Sequence, residues 1–322
     1  MGIWNATRAK RPGVYNGSVF AVRIRPDGTA VMADSGWMSA GDKAKYRFVA
    51  GLAPVRTAHN DHVMQHLKRY DMPLAYRQRM NATTFVCDAC DMTKLELVVR
   101  GRTLEGYAKL FGPETAGKYH VEPIEQAYYK GALDMRDPAK PVWADTHDIK
   151  HGEGETPAGV YTDPLIIVVD GMWHVHAAGQ PFDAVKPLHV CAPLVGQAEW
   201  KEAWALARRA FGLLRAGIEQ VGNRPSALKR RTGIRSLELA DFKVEVGRRK
   251  SDGKLVIADV LNLDSMRIIV DGNWQDPMAY LSKDPYRKAP PNVLDNPAKL
   301  AELVLNTYML GRDVLAELKN LP

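Results

Sequence analysis

A run of charged side chains at alternate positions carries the first suggestion of chemistry. Asp241, Lys243 and Glu245 alternate with Phe242, Val244 and Val246. This period of two reads as a half-buried strand with its charges on one face. Arg248 to Gly253 contains Ser-Asp-Gly, a turn signal. Leu255 to Ile257 starts a partner strand, so Leu237 to Arg267 reads as a β-hairpin. Asp259, on that partner strand, can come alongside Glu245. Carboxylates from paired strands could hold magnesium, a hard cation that takes oxygen ligands. Lys243 beside them and Arg267 further on could hold an anionic substrate. The same pattern also fits a surface hairpin laced with solvated ion pairs.

The elements that must position these residues are legible in outline. Val14 to Ala33 reads as two strands joined at Pro26-Asp-Gly-Thr29, after a basic arm at residues 1–12. Thr57 to Tyr70 reads as an amphipathic helix with Val63 and Leu67 inward. His59, His62 and His66 share one side of it; with no fourth ligand suggested, capping or solvated histidines are preferred to a metal site. Cys87-Asp-Ala-Cys90 has no second pair and no thioredoxin-like context. Asp134 to Thr156 reads as an inserted loop. Ile166–Val169 and Met172–His176 form a hairpin around Asp170-Gly171. In Gln197 to Val221 the residues Trp200, Trp204, Ala207, Phe211, Leu214 and Ile218 step by four and three, a core stripe on a long helix. Asn223 to Arg235 reads as a basic loop, and Pro285, Pro290 and Pro291 mark another. Asn296 at N-cap and Pro297 at N1 start a final helix that runs to about Leu318.

Composition sets bounds. With 322 residues the chain can bury a large core, in two lobes. Hydrophobic and charged contents of 46% and 25% are ordinary for a soluble globular protein. The net charge of +7 fits nucleic acid or a site for phosphorylated small molecules. No basic run is longer than three residues, as in Lys229-Arg230-Arg231, which argues against a nucleic-acid role. No apolar run is long enough to span a membrane. The N-terminus lacks the apolar core of a signal peptide, and Ala6 stands where myristoylation wants Ser or Thr. Three cysteines without an export signal point to the reducing cytoplasm.

Asp241-Phe-Lys-Val-Glu-Val-Gly247, followed by Asp259-Val-Leu-Asn-Leu-Asp264-Ser-Met-Arg267, resembles the signature of the phosphoribosylaminoimidazole-succinocarboxamide synthase (SAICAR synthetase) family. Weaker matches follow the family order: Ser39-Ala-Gly-Asp42, Glu96-Leu-Val-Val-Arg100-Gly-Arg102, Asp163-Pro-Leu-Ile166 and Lys283-Asp-Pro-Tyr-Arg287. The resemblance implies a two-lobed α+β fold related to ATP-grasp, with antiparallel sheets and flanking helices. It implies a β-rich nucleotide-binding lobe at residues 1–92 and an α+β lobe at 93–322 carrying the hairpin and the last helix. The implied activity is an ATP-dependent carbon–nitrogen ligase of purine biosynthesis. ATP phosphorylates the carboxylate of carboxyaminoimidazole ribonucleotide, and the amine of aspartate displaces the phosphate to form an amide. The implied partners are ATP, Mg2+, the ribonucleotide and the amino acid; a homo-oligomer is left open. Lys243, Asp241 and Arg267 are the implied catalytic residues, with Asp241 orienting Lys243 or a ribose hydroxyl. Glu245 and Asp259 are the implied metal ligands. Arg100, Arg102, Arg267, Arg287, Glu96, Asp264, Ser39 and Asp42 would meet substrate. Gly17, Ser18, Arg23, Cys90 and Met92 would meet ATP.

The chain departs from the family pattern at three places. Gly17-Ser-Val-Phe20 stands where the family has Gly-Lys-x-Lys facing the ATP phosphates, leaving Arg23 and Arg25 as the nearest cations on that hairpin. Glu105-Gly106 stands where the family has a Gly-Ser pair that contacts substrate, with Arg102 or Lys109 as the cation expected to neutralise Glu105. The lysine expected a few residues before Asp163 is absent. These departures imply weaker ATP affinity and poorer discrimination for aspartate. They keep two further readings in play: a ligase of this fold with a different amine or nucleotide, and a non-catalytic binder of nucleotides or nucleic acid.

Overall fold

The computed structural model describes residues 14–17, 19–40, 45–144, 157–183 and 186–321. The chain begins with β1 (Val14–Asn16), β2 (Phe20–Ile24), β3 (Thr29–Asp34), β4 (Trp37–Ala40) and β5 (Lys45–Phe48). Helix α1 (Leu52–Lys68) follows, then β6 (Tyr76–Arg79) and β7 (Thr84–Asp88). Five of these strands form an antiparallel sheet in the order β1-β2-β3-β7-β6, while β4 and β5 pair separately. Phe20 and Phe85 share one face of the five-stranded sheet and meet edge to face, at 5.9 Å between ring centres. Ala21, Arg23, Val31, Ala33 and Val86 share the other face.

The long strand β8 (Cys90–Arg102) starts a second sheet. Helix α2 (Glu105–Phe111), β9 (Tyr119–Tyr129), β10 (Ala132–Asp134), β11 (Val142–Ala144), β12 (Val160–Thr162), β13 (Leu165–Val169), β14 (Met172–His176) and β15 (His189–Cys191) come next. Then follow α3 (Gln197–Asn223), α4 (Ala227–Thr232), β16 (Leu237–Arg249), β17 (Leu255–Ile257) and β18 (Met266–Val270). The chain closes with α5 (Asp284–Lys288), α6 (Pro291–Leu294) and α7 (Pro297–Ala316). The eight-stranded sheet has the order β15-β14-β13-β9-β8-β16-β17, with β18 pairing β16 antiparallel beyond the β17 contact. The boundary expected at 92/93 falls inside β8; the smaller sheet ends at Asp88.

The alternation read in the sequence sets the two faces of this sheet. Leu95, Leu97 and Val99 of β8 and Phe242, Val244 and Val246 of β16 are buried on one face. There α3 lies on them with its stripe of Trp204, Ala207, Phe211, Leu214 and Ile218, and Phe211 meets Phe242 at 5.6 Å between ring centres. The helix sits close because Gly222 has no side chain: a Cβ there would come within 2.5 Å of the Leu237 amide nitrogen. Glu96, Val98 and Arg100 of β8 share the opposite face with Asp241, Lys243 and Glu245 of β16.

Several local expectations hold and others need correction. Asp170 (φ 49°) and Gly171 (φ 78°) both turn left-handed, the two-residue turn that suits a hairpin. Asn296 accepts the amides of Ala298 and Lys299 at 3.1 Å and starts α7. The opening hairpin has a third strand, because Gly17 turns the chain and its amide reaches Phe20 O at 2.8 Å. The basic loop contains α4, which Ser226 caps by accepting the Lys229 amide. The prolines taken as loop marks open short helices instead. Proline near a helix start lacks only an amide that the helix leaves unpaired anyway. The inserted loop carries β11; its residues 145–156, like the arm at 1–12, lie outside the described residues. His59 and His66 are buried where α1 meets α7 and α3: His59 Nε2 lies 2.7 Å from Tyr308 O and His66 Nε2 lies 3.3 Å from Leu213 O. Among the described residues no group of three metal-ligating side chains has the geometry of an ion site, and no helix is long and apolar enough to cross a membrane.

Arg56 of α1 ties the smaller sheet to the rest. Its fully buried guanidinium donates to both carboxylate oxygens of Asp34 on β3, at 2.7 and 2.5 Å. It also donates to Trp37 O and to Asp264, each at 3.1 Å. Removing one member of a buried pair leaves the other charged and out of water. Arg56→Met should therefore cost about 3–5 kcal/mol of unfolding free energy. Urea denaturation checks this, and a loss below about 1 kcal/mol would mean that Asp34 finds another partner.

Candidate active site

The polar face of the large sheet is the floor of a cleft. On β16, Asp241 is buried and its carboxylate serves two guanidiniums. Arg100 Nη1 donates to it at 2.5 Å, and Arg267 donates through Nε at 2.8 Å and through Nη2. Arg100 is held from its other side by Gln126 Oε1, at 2.6 Å from Nε. Burial alone would raise the pKa of Asp241; the two arginines overcome that and hold it below the usual carboxylate range. Asp241 thus orients two arginines.

One step along the strand, Lys243 Nζ donates to Glu96 Oε2 at 2.9 Å. Lys130, at the end of β9, reaches the same oxygen at 3.2 Å. It also lies 3.7 Å from both Asp163 and Glu245. Burial would raise Glu96, but the two ammonium groups bring it down to about 2. Sequence reading missed Lys130. The segment β10–β12 leaves after Lys130 and returns at Asp163, whose amide donates to Gly131 O at 2.9 Å. The cation sought just before Asp163 in sequence is therefore beside it in space, at the other end of the excursion.

Glu245 and Asp259 form a less balanced pair. Burial, and then the neighbouring Asp259 charge, push Glu245 up to about 7. Asp259 is raised as well, chiefly by burial. Asp259 is not on the partner strand: β17 ends at Ile257, and the Ala258 amide donating to Glu245 O at 3.1 Å keeps the segment alongside β16. A pair of partly buried carboxylates short of positive charge is a fitting place for a divalent cation.

Asp264 lines the cleft, anchored by Arg56 and by the Tyr308 hydroxyl, which donates to its Oδ1. Nearby, Lys283 is pulled down to about 8 by burial, against the opposing effect of Asp264. Arg267 and Arg287 line the cleft too, joined through Asp284: Arg287 donates to it at 3.1 Å and Arg267 lies 3.7 Å away.

Other expected residues stand elsewhere. A register shift between Arg100 and Arg102, where β8 meets β9, turns Arg102 off the cleft. Its guanidinium binds both oxygens of Glu238, at 2.7 and 2.9 Å, and Gly117 O at 2.6 Å. Ser39 lies in strand β4 opposite Tyr46, not in a loop, and does not line the cleft. Asp42 and Ser18 lie outside the described residues. Gly17 forms the β1–β2 turn, and Arg23 is exposed on the small-residue face of the five-stranded sheet. Cys90 and Met92 open β8 opposite Arg249 and Gly247; a Cβ at Gly247 would lie 3.0 Å from each of them. Glu105 meets Lys288 at 2.6 Å and Lys109 at 3.3 Å, so of its two expected cations Lys109 is present and Arg102 is not.

A family model described as SAICAR synthetase matches residues 15–140 and 225–302. The phosphoribosylaminoimidazole-succinocarboxamide synthase of Limosilactobacillus fermentum is 25% identical over 247 residues, covering 76% of this chain and 75% of that one. The synthase of Chloroflexus aggregans is 23% identical over 271 residues, covering 84% and 82%. Among solved structures, the synthase from Ehrlichia chaffeensis superposes with a TM-score of 0.59 at 16% identity, over 96% of this chain and 98% of that one. A SAICAR synthetase in complex with ADP gives 0.58 at 18% identity, over 91% and 97%. At such identities the structural likeness speaks for the fold, and it agrees with the antiparallel sheets and flanking helices described above.

The raised pKa of Glu245 has a consequence for stability. The ordinary value is 4.5 and the folded value is about 7. The folded state thus keeps a proton that the unfolded state releases. Stability from this group is present at low pH and declines as pH rises from about 4.5 to about 7. In metal-free buffer, Glu245→Gln should be more stable than wild type at pH 8, on the order of 1–3 kcal/mol, and equal to it near pH 4. Urea midpoints at the two pH values test this; an unchanged or lower midpoint at pH 8 would remove the charge conflict from the site.

Proposed function

This chain belongs to the SAICAR synthetase family, and we propose that it is an ATP-dependent ligase of purine biosynthesis that joins the carboxylate of carboxyaminoimidazole ribonucleotide to the amine of aspartate through an acyl phosphate. The observation that carries the proposal is the partly buried Glu245–Asp259 pair beside the Lys243–Glu96–Lys130 cluster. The pair fits magnesium, since burial raises both carboxyls and the Asp259 charge raises Glu245 further. Held by Glu245 and Asp259, magnesium would offset the negative charge of phosphate oxygens.

The chain's own residues supply the rest. Lys243 and Lys130, both tied to Glu96, bring positive charge to the carboxylate being activated. Arg100 and Arg267 are fixed by Asp241, so their remaining N–H groups meet a ligand without reorganisation. Each such charge-assisted contact is worth about 1.5–3 kcal/mol. Lys283, lowered to about 8 by burial, sheds its proton more readily than a solvated lysine and can exchange it with the incoming amine. For ATP, Ala21, Val31, Ala33 and Val86 offer a low apolar surface on the five-stranded sheet. Arg23 on the same face is the cation nearest in sequence to the missing phosphate lysines, which supports weaker ATP binding than in a lysine-bearing relative. Small-molecule substrates and free cysteines suit a cytoplasmic enzyme.

Mass spectrometry of a reaction with ATP, Mg2+, the ribonucleotide and aspartate tests the proposal by the appearance of the succinocarboxamide. Asp259→Asn should lower turnover by roughly a hundredfold or more while keeping the fold, since it removes one charge from the metal pair. Unchanged turnover in a stably folded Asp259→Asn protein would take Asp259 out of the metal site.

A further inference from the structure

The cleft has two chemically different ends. Its inner end holds Glu96 and Lys243, with Glu245 and Asp259 beyond them. Its outer end is a cavity of about 360 Å³ lined by Lys45, Lys109, Arg267, Arg287 and Lys288. A ribonucleotide also has two anionic ends, its ring carboxylate and its phosphate. If the carboxylate meets the metal pair, the phosphate reaches toward the basic outer end.

That outer end is already occupied by the chain's own charges. Glu105, first residue of α2, takes Lys288 at 2.6 Å and Lys109 at 3.3 Å. It is firmly ionised: the Lys288 hydrogen bond, above all, holds its carboxyl below the usual range. Asp284 takes Arg287 and neighbours Arg267. The Lys45 ammonium donates to Arg287 O at 2.5 Å and to Ala289 O at 3.3 Å. Every cation lining this cavity therefore has an acceptor within the chain, and a phosphate dianion must either displace Glu105 from both lysines or settle against its charge. A hydroxyl meets neither cost, because it can donate to Glu105 where it stands.

We propose that Glu105 is a specificity-determining residue that penalises a phosphate at the outer end of the cleft and so lets this chain accept ribosides nearly as well as ribonucleotides. The proposal rests on the family reading of the cleft and adds the substrate class at one end of it. The penalty comes from a single formal charge near the ligand, so it is electrostatic and fades with added salt.

Calorimetry with the succinocarboxamide ribonucleotide and its dephosphorylated riboside tests this on wild type and on Glu105→Gln, which keeps the side-chain shape on a half-exposed helix. Wild type should bind the two ligands within roughly threefold of each other. Glu105→Gln should bind the ribonucleotide roughly tenfold tighter and the riboside as before, with the gain shrinking at high salt. Glu105→Ser should repeat the gain, separating charge from shape. A wild-type preference for the ribonucleotide of roughly a hundredfold would overturn the proposal, as would variants that shift both ligands equally. If wild type binds ADP but neither succinocarboxamide ligand, the family reading of the substrate fails and this proposal with it. If both ligands bind and only the Glu105 effect is missing, the family reading stands alone.

Discussion

Ionised groups taken out of water must find countercharges, and that constraint shapes the whole cleft. Burying an ion costs several kcal/mol unless a well-placed partner offsets it. β16 places Asp241, Lys243 and Glu245 on one face, at the centre of a sheet. Each is met from a neighbouring element: Asp241 by two arginines, Lys243 by Glu96, and Glu245 only partly, by Lys130 at 3.7 Å. The apolar face of the same strands provides the offsetting stabilisation, because α3 covers it with a continuous stripe. The polar face is thus rigid because the apolar face is packed, and a rigid polar face needs little rearrangement to meet a charged ligand.

The same logic joins the smaller sheet to the larger one. Arg56 is buried, yet it satisfies Asp34, Trp37 O and Asp264 at once. Asp264 also accepts from Tyr308 on α7, so a cleft-lining carboxylate is held by helices from both ends of the chain. Its pKa is pushed up by burial but brought below the ordinary range by Arg56 and its other partners. Lys283 faces the opposite balance: burial outweighs Asp264, and its proton is held loosely. An anchored anion and a loosened cation side by side make a locally asymmetric field, useful where a proton must leave an amine.

What the sequence made legible follows from which signals are local. The period of two in β16, the four-and-three stripe in α3 and the Asp170-Gly171 turn each depend on neighbours in sequence, and each is present. Lys130 was hidden because its role depends on an excursion that brings Asp163 back to it; no spacing rule survives an insertion of that kind. Arg102, placed at the substrate by the family resemblance, stands off the cleft because a register shift after Arg100 breaks the alternation along β8. Pro285 and Pro291 misled because proline, which breaks a helix interior, is well suited to a helix start. His59 and His66, expected to be capping or solvated, are buried against the Tyr308 and Leu213 carbonyls instead, contacts between distant segments that leave no local signal.

The sites that depart from the family pattern are not scattered. Asp241, Asp264 and Arg267 form the frame, each fixed by buried charged partners, with Lys243 tied to Glu96 and the Glu245–Asp259 pair beside it. Glu105 lies instead at a half-exposed helix start, where substitution costs the fold little, while Phe20 stands in β2 against Phe85. On the proposed reading the effect falls on charge: the two family lysines of the opening hairpin are replaced, and an anion is added at the outer end of the cleft. Both changes would weaken the hold on phosphate while leaving the inner carboxylates and lysines in place. The frame therefore conserves the means of activating a carboxylate, and the periphery alters which phosphorylated molecules are held while that happens.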